Sequence, residues 1–231
     1  MAALSALIWA CVCAGAVFAV QKWYLPYYRE KIADSDEVGN LSHWGERSRK
    51  IFDWSAFAVS VIVAAACGFV LKKTGVEIID MIFIMATLCV FNIVAFTDLE
   101  FYRIPNIFVL SLAVLRLIRT AIALFAKNPV ADVFRQLLAY VIVGVAILVF
   151  LAVASKITHG GIGMGDIKLF SALGFLLGLE AVIYTLLISF FLCALVSGFL
   201  LLTKKKGLKD GLPMAPFAWA GFALVAILGA F

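Results

Sequence analysis

Two aspartates stand where the chain is otherwise apolar. Asp98 closes one long hydrophobic run, in Thr97-Asp98-Leu99, and is followed by Ile104-Pro105-Asn106. Asp166 comes after a glycine-rich stretch, Gly160-Gly161-Ile162-Gly163-Met164-Gly165, and opens the next run with Ile167-Lys168-Leu169. A carboxylate in hydrocarbon costs about 2.5–3.5 kcal/mol on insertion scales, so one that is kept there has a task. Two carboxylates side by side do not both ionise readily; they share a proton near working pH. Such a pair can hydrolyse an amide without a metal or a covalent intermediate. The ionised member takes a proton from a bound water, and the protonated member polarises the carbonyl and then protonates the leaving amine. The expectation is that Asp98 and Asp166 meet in space. Each also has a blander role open to it: Asp166 as a helix cap after a glycine turn, Asp98 as a solvated carboxylate at a helix end. Gly163 and Gly165 are expected to supply positive φ angles and a close backbone approach.

The elements that must position this pair are membrane spans. Hydrophobic residues make up 65% of the 231 positions and charged residues only 14%, where a soluble domain carries roughly a quarter charged residues. The class is therefore an all-α polytopic membrane protein. Residues 1–231 read as a single membrane domain, with 21–53 as a cytoplasmic loop between the first two spans. Apolar segments fall at about 2–20, 54–71, 78–97, 105–126, 134–156, 167–178, 180–203 and 212–231, about eight in all. Residues 2–20 lack a preceding positive charge and read as a retained span rather than a cleaved signal. The segment 167–178 covers only about 18 Å as a helix. It cannot cross unless it starts below the surface, which places Asp166 within the membrane's depth. Irregular backbone at that depth is tolerated only within protein or beside a water-filled cavity.

Charge sets the orientation. If the Asp98 end of the third span faces the cytoplasm, the inside loops hold thirteen basic residues and the outside loops four, Lys72, Lys73, Lys127 and Arg135. That is a positive-inside pattern, and it puts Asp98 and Asp166 on one side. Arg116 and Arg119 fall within the fourth span and are expected to snorkel or to line its outer half. Lys204-Lys205-Lys206 with Lys209 reads as a lipid-facing anchor. Trp23, Trp44 and Trp54 read as interfacial aromatics. Gly174-x-x-x-Gly178 reads as a helix-packing motif.

Other chemistries find little support. The five cysteines, Cys11, Cys13, Cys67, Cys89 and Cys193, lie in apolar runs and form no CxxC pair. His43 and His159 are expected to be solvated rather than ligating. No metal or cofactor is called for. The glycine run does not follow a strand in a βαβ unit, so a dinucleotide site fails on context.

The residues also carry a family resemblance. Asp98 through Asn106 resembles the first aspartate motif of bacterial type IV prepilin peptidases. Gly163-Met164-Gly165-Asp166-Ile167-Lys168-Leu169 resembles their GxGDxKL motif, and Leu212-Pro213-Met214-Ala215-Pro216-Phe217 the proline-bearing start of their last helix. The resemblance covers about residues 80–231 and leaves the first 75 poorly matched. It implies a GxGD aspartyl protease of the bacterial inner membrane that cuts the basic leader from prepilins or pseudopilins at the cytoplasmic face. It implies Asp98 and Asp166 as the catalytic pair, with Gly163, Gly165, Lys168, Pro105 and Asn106 as binding or supporting residues. The expected partners are the prepilin substrate and the lipid bilayer, not nucleic acid. Large members of the family carry two CxxC pairs after the first span, linked to N-methylation. Residues 21–53 have no cysteine, so that activity is expected to be absent. Two other functions use the same carboxylates: a proton- or cation-coupled transporter, and a membrane subunit in which they are structural.

Overall fold

The computed structural model describes residues 2–24, 26–27, 46–126, 129–203 and 212–228. The helices are α1 (Ala2–Ala19, continued by a wider π turn over Val20–Tyr24), α2 (Glu46–Lys73), α3 (Ile78–Phe101) and α4 (Asn106–Phe125). After these come α5 (Val130–Ile157), α6 (Met164–Leu177), α7 (Leu179–Leu202) and α8 (Ala215–Leu228). No strand occurs among the described residues. Helices α3, α4, α5 and α7 are each long and apolar enough to cross a membrane. The chain is a multi-pass membrane protein. Most of the expected segment 21–53, with His43, Trp44 and the lysines at 204–206 and 209, lies outside the described residues. The side chains of Trp23 and Trp54 do so as well.

Prolines and tight turns set several boundaries. Pro105 and Pro129 stand in extended conformation before α4 and α5, where a missing N–H and a φ near −60° suit a helix entrance. Tyr102 ends α3 in the left-handed region, φ 52°, with its N–H donating to the Asp98 carbonyl. Gly178 alone separates α6 from α7, at φ 92°.

The apolar faces divide between core and lipid. The apolar stretch of α3 is 56% buried and that of α4 only 11%, so α3 lies inside the bundle and α4 on its rim. Ile107, Leu110 and Leu117 on α4 and Phe191 and Leu195 on α7 point outward, as hydrocarbon requires. One core joins Phe91 and Val94 of α3 to Leu112, Ile167, Phe170 and Ala215. A second gathers Cys13, Ala64, Met85, Leu88 and Phe222 around α1, α2, α3 and α8.

Small residues let helices close on one another. Gly174 packs on Val143 and Gly144 of α5, and Gly178 on Tyr140 of the same helix. Both glycines of the packing motif therefore face α5. Between α7 and α8, a methyl at Gly221 would sit 2.5 Å from Ser189 Oγ and 2.9 Å from the Thr185 carbonyl. Backbone cannot yield as a flexible side chain can. Gly221→Ala is expected to cost about 1–3 kcal/mol, read as a lower apparent Tm in detergent.

Candidate active site

Asp98 lies in the last turn of α3, which runs past Thr97 to Phe101. Its side chain is 5% exposed. Its Oδ2 accepts a hydrogen bond from the backbone N–H of Ala215, the first residue of α8, at 2.9 Å. The local sequence makes that amide available. Pro213 and Pro216 have no N–H, and the Phe217 and Ala218 amides donate to the Met214 carbonyl. The start of α8 thus keeps a free donor, and its dipole favours a negative group there. The likeness at residues 212–217 pointed to this helix entrance, but nothing in it pointed to Asp98. A backbone donor leaves no mark in the side-chain pattern.

Asp166 is the third residue of α6 and is half-buried. The helix starts at Met164, two residues before the aspartate, with Gly163 at its cap position. Asp166 therefore stands inside the first turn and does not precede it as a capping residue would. The preceding loop is held to α5 by Ser155, whose hydroxyl donates to the Ile162 carbonyl at 2.8 Å.

The expected positive φ at Gly163 and Gly165 is not found. Gly163 has φ −66° and ψ 144°, and Gly165 is helical. What these positions require is room. A Cβ on Gly163 would lie 3.0 Å from Asp166 Oδ2, and one on Gly165 would lie 3.2 Å from Ile104 Cβ. The first glycine leaves space for the carboxylate, and the second lets α6 close on the loop after Asp98. Gly163→Ala is therefore expected to displace the Asp166 carboxylate and to lower activity by about 10- to 100-fold. Circular dichroism should stay unchanged, because the φ and ψ at this position suit alanine.

The two motifs meet at one end of the bundle. Ile104 packs on Gly165. Lys168 Nζ donates to Asn106 Oδ1 at 3.4 Å, on the exposed side. Pro105 caps the helix that Asn106 begins. These contacts set Asp98, at the end of α3, and Asp166, at the start of α6, at the same end of the bundle. The end of α3 and the starts of α4, α6 and α8 thus converge on two carboxylates. One is anchored through Oδ2 and the other stands on a short helix.

A cavity of about 850 Å³ lies elsewhere, lined by Glu77, Asp80, Arg119, Tyr140, Gly178 and Glu180, among others. Asp80 and Asp98 are eighteen residues apart on one helix, about 27 Å. The cavity therefore opens at the opposite end, and neither motif aspartate lines it. There Arg119 pairs with Asp80. Arg116 does not snorkel; it is 3% exposed and faces inward.

Residues 82–198 match the model of the type IV leader peptidase family. The chain belongs to that family. The matched segment holds Asp98, Asn106, Asp166 and Lys168; the Ala215 donor lies beyond it. A curated relative, the "Prepilin leader peptidase/N-methyltransferase" of Bacillus subtilis (strain 168), is 37% identical over 141 residues. That alignment takes in 59% of this chain and 52% of the relative, so the chain spans about half the length of the curated relative it matches. No solved structure matches the chain significantly. Within the type IV leader peptidase segment, the buried Asp98 on α3 and the half-buried Asp166 on α6 stand at the same end of the bundle.

Proposed function

We propose that this chain is a membrane aspartyl endopeptidase that removes the basic leader of type IV prepilins or pseudopilins. Asp98 and Asp166 are its catalytic pair, and cleavage takes place at the cytoplasmic face of the bacterial inner membrane. The observation that carries this reading is that the two aspartate motifs pack on each other, Ile104 on Gly165 and Lys168 on Asn106, at one end of the bundle inside the segment that matches the leader peptidase family. The excess of basic residues in loops on the Asp98 side supports the cytoplasmic orientation.

The chemistry follows from one shared proton. The ionised carboxylate takes a proton from a water held between the pair, and the oxygen adds to the scissile carbonyl carbon. The protonated carboxyl gives its proton to the carbonyl oxygen. As the tetrahedral intermediate collapses, one of its hydroxyls returns a proton to the pair and the C–N bond breaks; the amine leaves with a proton from the pair, and one shared proton remains. Asp98 Oδ2 is already engaged by Ala215, so the water meets the other oxygen, Oδ1. Gly163 and Gly165 keep the approach to Asp166 open. Pro105 and Asn106 begin α4 beside it, and Lys168 links that helix to α6. N-methylation is not part of the proposed activity, because residues 21–53 lack the paired cysteines that accompany it.

The test uses the purified chain in liposomes with a synthetic prepilin. Release of the leader, read by mass spectrometry, is expected from the wild type. The same vesicles loaded with a pH-sensitive dye report proton flux. Flux without leader release would replace the peptidase with a transporter.

A further inference from the structure

Helices α4 and α6 touch through polar groups at two levels. Near the aspartates, Lys168 of α6 reaches Asn106 of α4. Farther along, Arg116 Nη1 of α4 donates to the Leu176 carbonyl of α6 at 3.5 Å. Ten residues separate the two contacts on α4, about 15 Å, and eight separate them on α6, about 12 Å. The helices run in the same direction, and the two contacts fix their relative axial position.

Arg116 is built into the bundle. It is 3% exposed, and its guanidinium carbon lies 3.4 Å from the centre of the Tyr140 ring. Its Nε has no hydrogen-bond partner among the described residues. The ring it stacks on also fills the break after α6, where a Cβ on Gly178 would come within 2.8 Å of Tyr140 Cε1. Helix α6 has 14 residues, about 21 Å, so it ends short of a full crossing. Its last carbonyls lack intrahelical donors and carry the negative end of the helix dipole. A buried cation at that point answers both needs. Arg119, three residues on, is engaged by Asp80 instead, which leaves this task to Arg116.

We infer that Arg116 is a positioning residue. Held against Tyr140, it clamps the C-terminal end of α6 and so sets the depth of Asp166, at the other end, relative to Asp98. This inference rests on the reading of those aspartates as the catalytic pair. A slip of one residue along α6 would move Asp166 by about 1.5 Å, and misplacement on that scale costs about 10²-fold in rate.

The experiment compares wild type, Arg116→Met and Arg116→Lys as full chains in liposomes. Steady-state cleavage is measured alongside hydrogen exchange over residues 164–178. Arg116→Met is expected to lower kcat by about 10- to 100-fold while KM stays within about twofold. Exchange should rise in α6 and not in α2 or α8. Arg116→Lys keeps charge and donor and is expected to recover most of the loss in kcat. An unchanged kcat in Arg116→Met would overturn the inference, and so would a uniform rise in exchange with no recovery by lysine. Should Arg116→Met fail to fold, Tyr140→Leu, which removes the stacking partner, is judged by the same criteria. Full cleavage by Asp98→Asn and Asp166→Asn would refute the catalytic pair instead, and the exchange measurement would still report the clamp.

Discussion

Asp98→Asn and Asp166→Asn are each expected to lower kcat/KM for a synthetic prepilin by at least about 10³-fold. Both proteins should insert and unfold like the wild type. Asparagine is the informative replacement at 98. Its side-chain oxygen can still accept the Ala215 N–H that Asp98 Oδ2 accepts at 2.9 Å, so the tie between α3 and α8 survives while the exchangeable proton is lost. Alanine would orphan a buried amide and cost about 1–3 kcal/mol, mixing lost chemistry with lost stability. At 166 the side chain is half-buried in the first turn of α6, and asparagine is again nearly isosteric. A purely structural role predicts the reverse outcome, with activity retained and thermal stability reduced. Leader cleavage near the wild-type rate in either purified variant would end the two-carboxylate mechanism.

The second large effect is expected at a position with no reactive side chain. Ala215→Pro deletes the amide that donates to Asp98 Oδ2 at 2.9 Å. Proline is tolerated at the first position of a helix, and Pro213 and Pro216 already flank the site. The helix should therefore persist. What changes is the support of a buried carboxylate. A hydrogen bond to a charged group contributes about 1.5–3 kcal/mol, so kcat is expected to fall by roughly 10- to 150-fold. Ala215→Gly keeps the amide and serves as the control; it should stay within about threefold of wild type. Equal activity in the proline variant would mean that Asp98 draws no support from α8.

Much of this fold is legible in the sequence because hydrocarbon is a simple solvent. Apolar runs of the right length become helices, and seven of the eight expected segments begin and end within four residues of α1, α3, α4, α5, α6, α7 and α8. The main miss is α2, which begins at Glu46 rather than near residue 54. Hydropathy detects the lipid-facing part of a helix and not its polar extension. The aspartates were legible because charge in an apolar run is conspicuous. Their supports were not. A backbone amide at Ala215 has no signature of its own. Gly163 and Gly165 were noticed as glycines, but sequence cannot separate a need for torsion from a need for space. Arg116 read as a cation that snorkels or lines the outer half of its span because its partners, Tyr140 and the Leu176 carbonyl, lie 24 and 60 residues away and meet it only in the folded bundle.

The single residue between α6 and α7 has a mechanical consequence. With no slack at Gly178, α6 cannot slide without dragging a full-length span along with it, so the depth of Asp166 is tied to the seating of α7. A shift of that span by one residue's rise would carry Asp166 through about 1.5 Å.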